Sequence, residues 1–172
     1  MIEKSDIDKC FPELQWIKDD SLRVKVVNVW KKAADFGKWE ILEDIPFTLL
    51  FDNSGLLISH TSRIAHLAKS IMETREEDIN GDFLIAGALL HDVGKLMEYE
   101  LRNGKVVKSE YGKQFRHPVS GSNLARDCGL PDEVVHIIYA HSHEGDKIKR
   151  SPEAIIVHHC DFIDFEIKKS MV

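Results

Sequence analysis

A histidine and an aspartate stand side by side, His91 and Asp92, inside the otherwise apolar run Ala-Gly-Ala-Leu-Leu-His-Asp-Val-Gly-Lys at 86–95. A segment that buries Leu89, Leu90 and Val93 carries these two polar side chains inward with it. An unpartnered buried carboxylate is costly and sooner takes up a proton than stays charged. A bound cation removes that cost. A fold built on this segment therefore has to bring further polar groups to the same point. His60 upstream, and His117, His141 and Asp161 downstream, are the candidates.

The rest of the composition is ordinary. With 172 residues, 43% apolar and 30% charged, the chain is expected to form one domain, 1–172, around one core. No apolar run approaches the roughly 18 residues of a membrane span. The opening Met-Ile-Glu-Lys-Ser-Asp lacks the apolar stretch of a signal peptide. Cys10, Cys128 and Cys160 fit neither a disulfide framework nor a Cys-x-x-Cys metal site, so a reducing, cytoplasmic setting is expected. A net charge of −6 argues against a protein that coats long nucleic acid. Basic residues gather locally, however, at Arg102, Lys105, Lys108, Lys113 and Arg116, which suits a small anionic ligand.

Apolar periodicity is mostly helical. It predicts helices over 21–36, 56–73, 82–98, 118–128 and 132–143, with Gly37 ending the first. A last long helix is opened by Ser151 as N-cap and Pro152 in its first turn. Residues 82–98 are apolar nearly all round and belong at the centre. One stretch breaks the pattern: β-branched residues flank Asn103-Gly104, the favoured two-residue hairpin turn. The expected fold is all-α, a bundle of six or seven helices with one small β-hairpin near 98–110. Residues 1–50 are expected to form a helical extension packed on it.

Helix geometry tests whether the polar candidates converge. His60 shares a face with Ile64, Leu67 and Ile71. His141 follows Val134 and Ile138 on another face, and Asp161 lies on the side of Ala154, Val157 and Phe165. Three helices thus aim a metal-ligand side chain into their own buried faces. Imidazole and carboxylate without thiolate suit a divalent cation such as Mn, Fe, Co, Ni or Zn.

These residues, in this order and in their local contexts, resemble the HD superfamily of metal-dependent phosphohydrolases. Ser-His-Thr-Ser-Arg-Ile-Ala-His-Leu-Ala at 59–68 resembles the family's first helix, His-Asp-Val-Gly-Lys at 91–95 its core motif, and Pro-Glu-Ala-Ile-Ile-Val-His-His-Cys-Asp-Phe-Ile-Asp at 152–164 its last helix. The resemblance runs over about 57–165. It implies that His60, His91, Asp92 and Asp161 hold one cation. His117 and His141 would hold a second, with Asp92 bridging. Related two-metal proteins often have adjacent histidines where this chain has His141-Ser142-His143. The apolar stripe favours His141 as the ligand, which leaves His143 to face substrate. Lys95 lies one turn beyond the His-Asp pair, and the resemblance places it, as a catalytic group beside Asp92, near a substrate phosphate. Arg63 is a second candidate for phosphate. Asp164 could orient a ligand.

The implied activity is hydrolysis of a phosphate ester of a nucleotide or small phosphodiester, with metals lowering the pKa of an attacking water. No Gly-x-Ser-x-Gly elbow, Walker loop or dinucleotide fingerprint competes with it. Two alternatives remain open. The segment around His91-Asp92 also resembles the HD domain of certain 3′-to-5′ exoribonucleases, which carry an additional nucleic-acid-binding domain. The metal centre could also serve a non-catalytic nucleotide sensor. No membrane partner is expected.

Overall fold

A computed structural model describes residues 2–172. The helices are α1 (Lys4–Cys10), α2 (Asp20–Gly37), α3 (Leu57–Glu73), α4 (Gly81–Leu90), α5 (Lys95–Glu98), α6 (Glu110–Gln114), α7 (His117–Asp127), α8 (Asp132–Ala140) and α9 (Pro152–Lys169). Two 3-10 turns, Pro12–Trp16 and His143–Lys147, join them. Six of the nine are long enough to build the bundle; α1, α5 and α6 are only seven residues or fewer. The protein is mainly helical, as expected, and its strands form a single hairpin. No helix among the described residues is long and apolar enough to cross a membrane.

α4 is the central element. Every residue from Leu84 to Leu90 is buried, which explains why its sequence shows no polar face. It packs against α2, α3, α8 and α9. On α3 the buried set is Leu57, His60, Thr61, Ile64, Ala65 and Ala68. Leu67, expected on that face, is 38% exposed; the stripe continues through Ala68 instead. α9 is capped as its sequence predicts, with the Ser151 hydroxyl accepting from Ala154 N.

The expected single helix over 82–98 is a correction. α4 stops at Leu90, and tight i→i−3 turns carry the chain through His91–Gly94 into α5. Gly94 lies in this turn at a close approach between segments. A Cβ there would overlap the His117 carbonyl oxygen, so the His-Asp turn presses directly on the start of α7. The predicted helix over 132–143 likewise ends early, at Ala140, and leaves His141 just beyond it. α2 does end near Gly37, but Lys38 takes the left-handed conformation at its cap (φ 57°).

The hairpin forms as predicted. β1 (Tyr99–Arg102) and β2 (Lys105–Lys108) pair antiparallel, with Tyr99 opposite Lys108. Asn103 and Gly104 both adopt positive φ, 53° and 74°, as a type I′ turn requires.

The N-terminal segment does more than cover the core. The Trp30 indole donates to Leu89 O at 3.0 Å and the Trp39 indole to Leu96 O at 2.7 Å. These carbonyls flank the His-Asp turn, so the segment grips it from both sides.

Gly94→Ala should destabilise the protein by about 2 kcal/mol or more, because backbone must move to admit the methyl group. A denaturant melt measures this; a variant as stable as the parent would contradict the close approach.

Candidate metal centre

Five elements deliver six side chains to one point. His60 comes from the first turn of α3, and His91 and Asp92 from the turn after α4. His117 opens α7, His141 follows α8, and Asp161 lies midway along α9. All are buried or nearly so; the most accessible, Asp161, has a side chain 16% exposed.

The geometry divides them into two groups. His60 Nε2 lies 3.2 Å from His91 Nε2, 3.2 Å from Asp161 Oδ1 and 3.4 Å from Asp92 Oδ2. His91 Nε2 is 3.4 Å from that same Asp92 oxygen. The other Asp92 oxygen, Oδ1, faces His117 Nε2 at 3.2 Å and His141 Nε2 at 3.7 Å. Each group could hold a cation, and Asp92 belongs to both.

Every one of the four imidazoles is fixed through Nδ1. His60 meets Asp164 Oδ2 at 2.7 Å, and His117 meets Glu98 Oε2 at 2.8 Å. His91 and His141 donate to Ala88 O and Ile138 O, both at 2.7 Å. These last two acceptors are carbonyls at helix ends, where the helix itself leaves acceptors free. A carbonyl or carboxylate oxygen accepts only from a protonated nitrogen. Nδ1 therefore carries the proton, and in the neutral ring Nε2 offers its lone pair inward. Asp92 Oδ1 and His141 Nε2 are buried with no hydrogen-bond partner at all. Two facing acceptors left without a donor, Asp92 Oδ1 and His141 Nε2, fit a divalent cation, and an imidazole–carboxylate donor set fits the first-row metals.

The electrostatics agree. Burial opposes a charge on His60, but its hydrogen bonds to Asp161, Asp164 and Asp92 outweigh this and push its pKa up to about 10. Burial also opposes ionisation of Asp161, yet the His60 contact holds its carboxyl down to about 2. Against the same penalty, Lys95, His91 and His117 keep Asp92 well below the usual carboxylate range. For His117 burial wins: its pKa is lowered despite Asp92 and Glu98, which favours the neutral ring. The centre is a nest of ionised carboxylates that draws positive charge.

Asp92, His117 and Asp161 open onto a cavity of about 440 Å³. Phe47, Phe162 and Phe165 contribute to its aromatic wall, and Lys95, Lys108 and Arg116 bring positive charge. Phe47 also stacks on the His60 ring, with centroids 4.4 Å apart. Lys95 is buried, 2.6 Å from Asp92 Oδ2, and donates to Phe47 O. Burial works against its charge, but Asp92, with Tyr99 and Asp161, raises its pKa, so it stays an ammonium.

Of the remaining candidates, His143 lies away from Asp92, on the side where a substrate was expected. Its side chain is 68% exposed on the cavity rim, 3.0 Å from Asp146, while His141 takes the inward position. Arg63, expected to meet phosphate, is not part of the cavity lining. It grips Asp164 through Nε and an Nη at 2.6 and 2.8 Å, and so braces the carboxylate that orients His60. His158 donates to His141 O at 2.6 Å and steadies that turn. Glu98 was missed. Burial opposes its charge, but His117 and Lys108 hold its pKa down to about 2. The signal was present: a carboxylate ending the apolar run Leu96-Met97 demands a partner as Asp92 does.

The comparisons with known proteins agree with this geometry. The family model described as HD domain matches residues 57–166. The chain is 31% identical over 165 residues to the dihydroneopterin 2′,3′-cyclic phosphate phosphodiesterase of Methanocaldococcus jannaschii, covering 88% of this chain and 66% of that protein. It is 33% identical over 107 residues to ribonuclease Y of Acidothermus cellulolyticus and 30% over 101 to that of Thermotoga maritima. Those matches take in 62% and 59% of this chain but only 18% and 17% of the ribonucleases. No solved structure matches the chain. On the family match, the chain belongs to the HD domain family.

Proposed function

We propose that this protein is a metal-dependent phosphohydrolase that cleaves a phosphodiester of a small, nucleotide-like molecule. The observation that carries this reading is the set of four imidazoles fixed through Nδ1, converging on the two oxygens of Asp92 at the floor of a cavity. His60, His91, Asp92 and Asp161 would hold one divalent cation, and Asp92, His117 and His141 a second. Cations so held lower the pKa of water toward neutrality and offset charge on a phosphoryl group.

The chain's own residues supply the rest. Asp92 and Asp161 remain ionised. His117 stays neutral. Lys95 serves as the catalytic ammonium: it is fixed beside Asp92 on the cavity floor, within reach of a phosphoryl oxygen. Lys108 and Arg116 extend the positive charge along the wall. Phe47, Phe162 and Phe165 offer aromatic faces for a flat ring and keep bulk water from that side. His143 can meet substrate at the rim. Of the basic residues clustered at 102–116, Lys108 and Arg116 line the cavity, whereas Lys113 is paired with Glu110.

Substrate size follows from the cavity wall. Phe47 to Leu50 lie outside the family match, yet they line the cavity. An alignment over 88% of the chain, as with the dihydroneopterin enzyme, includes that segment wherever it begins. That likeness favours a small cyclic phosphodiester carrying a planar group. The ribonuclease Y matches support a second reading, an RNA phosphodiesterase. Hydrolysis of 2′,3′-cyclic nucleotides, dihydroneopterin cyclic phosphate and single-stranded RNA, measured side by side with Mn(II), separates the two. Turnover of RNA alone would reverse the order.

Replacing His91 or Asp92 by alanine should abolish metal-dependent hydrolysis of a nitrophenyl phosphodiester. Near-parental rates with Mn(II) supplied would refute the assignment. Crystals soaked in Mn(II) should show two anomalous peaks, one at each ligand group; one peak, confined to His60, His91, Asp92 and Asp161, would reduce the centre to a single metal.

Cation binding should also release protons. Metal-free His60 titrates near 10, so it is protonated at pH 7.5 and must give up a proton to become a ligand. Calorimetry in buffers of different ionisation enthalpy should find about one proton displaced at that pH, fading as pH rises past 10. No buffer dependence at pH 7.5 would show that His60 is neutral before the cation binds, against the raised pKa.

A further inference from the structure

The four imidazoles are not held alike. His91 and His141 rest on main-chain carbonyls of the helices they follow, which no substitution removes. His60 rests on Asp164, itself clamped by two Arg63 donors. His117 rests on Glu98, and the contact is double. One oxygen, Oε2, accepts from the His117 ring Nδ1 at 2.8 Å and from the His117 backbone N at 2.7 Å. The other, Oε1, lies 3.1 Å from Lys108 Nζ on the hairpin.

Glu98 is itself firmly placed. It ends α5 and is 7% exposed. Its carbonyl accepts from Ser109 N at 2.9 Å, where the chain returns from the hairpin. The carboxylate therefore sets both where α7 begins and how its first ring is turned. In the second ligand group Asp92 is shared and His141 is anchored on main chain. Of its two imidazoles, His117 is the one whose ring rests on another side chain.

We propose that Glu98 is the positioning residue of the second cation site: by gripping His117 at ring and backbone together it aims Nε2 at Asp92 Oδ1, 3.2 Å away. The affinity of that site depends on Glu98, and that of the first does not. This rests on the two-cation reading above. It also ties the hairpin, through Lys108, to His117.

The test is calorimetric titration of metal-stripped protein with Mn(II), with electron paramagnetic resonance of the loaded samples. The parent should bind two ions and show an exchange-coupled pair. Glu98→Ala should leave the first binding step unchanged and weaken the second by about 10- to 100-fold, the usual cost of losing a partner that orients a ligand. At two equivalents of Mn(II) its coupled signal should give way to that of isolated ions. Glu98→Gln keeps an acceptor for both His117 donors but loses the charge; it should weaken the second step by only a few-fold. This variant carries the test if circular dichroism shows that the alanine variant does not fold. Equal weakening of both steps, or a second step unchanged in the glutamine variant and in any folded alanine variant, would overturn the proposal. A parent that binds one ion would also overturn it while leaving a one-metal hydrolase standing. A parent that binds none would remove the proposed function with it.

Discussion

Asp92 is the point on which the structure turns. Its carboxylate is essentially inaccessible to solvent, and its two oxygens face two different sets of imidazoles. Burial of such a charge among apolar helices is unfavourable by several kcal/mol unless partners compensate it. Lys95 supplies one full countercharge at 2.6 Å. That single partner leaves Oδ1 without a hydrogen bond, as it leaves His141 Nε2. Buried acceptors left open in this way suit a cation, and a cation held there would offset part of the cost of burying Asp92.

Helix ends explain how so many ligands meet in so little space. A residue inside a helix projects sideways, and neighbouring helices stand about 8–10 Å apart. His91 and His141 instead sit immediately beyond α4 and α8, where the chain has left the helix. Each ring folds back onto a carbonyl that the helix leaves free, so one contact satisfies the backbone and orients the ligand. The negative ends of two helix dipoles also point toward the centre, which favours positive charge there. α7 approaches with its opposite end, and there the Glu98 carboxylate receives the free backbone N–H of His117.

Much of this was legible in the sequence. Apolar periodicity located the six main helices, and Asn103-Gly104 located the hairpin to the residue. The polar side chains were legible for a different reason: His60, His141 and Asp161 continue apolar stripes, His91 and Asp92 interrupt an apolar run, and His117 follows from the family resemblance. The break after Leu90 was not legible, because 82–98 is apolar nearly all round and apolar content cannot distinguish one helix from two. The break coincides with a tertiary contact, Gly94 against the His117 carbonyl, that periodicity does not report. Arg63 misled for a related reason. Its spacing from His60 correctly put it nearby, but spacing does not say on which side of the imidazole it lies. Asp164, 101 residues away, decided that.

The N-terminal 50 residues show how a conserved type of chemistry can be given a particular pocket. The six candidate ligand positions all fall within the family match, between 57 and 166. One part of the cavity wall, Phe47 to Leu50, does not. Phe47 is the clearest case: it stacks on His60, its carbonyl receives Lys95, and its ring forms part of the wall. One residue outside the ligand-bearing segment thus touches a ligand, the buried lysine and the space where substrate would lie. Trp30 and Trp39 hold the carbonyls on either side of the His-Asp turn, so any displacement of this segment is felt at Asp92 within a few bonds. The family-matched segment thus carries the six converging side chains, and the segment before it supplies one wall of the cavity they face.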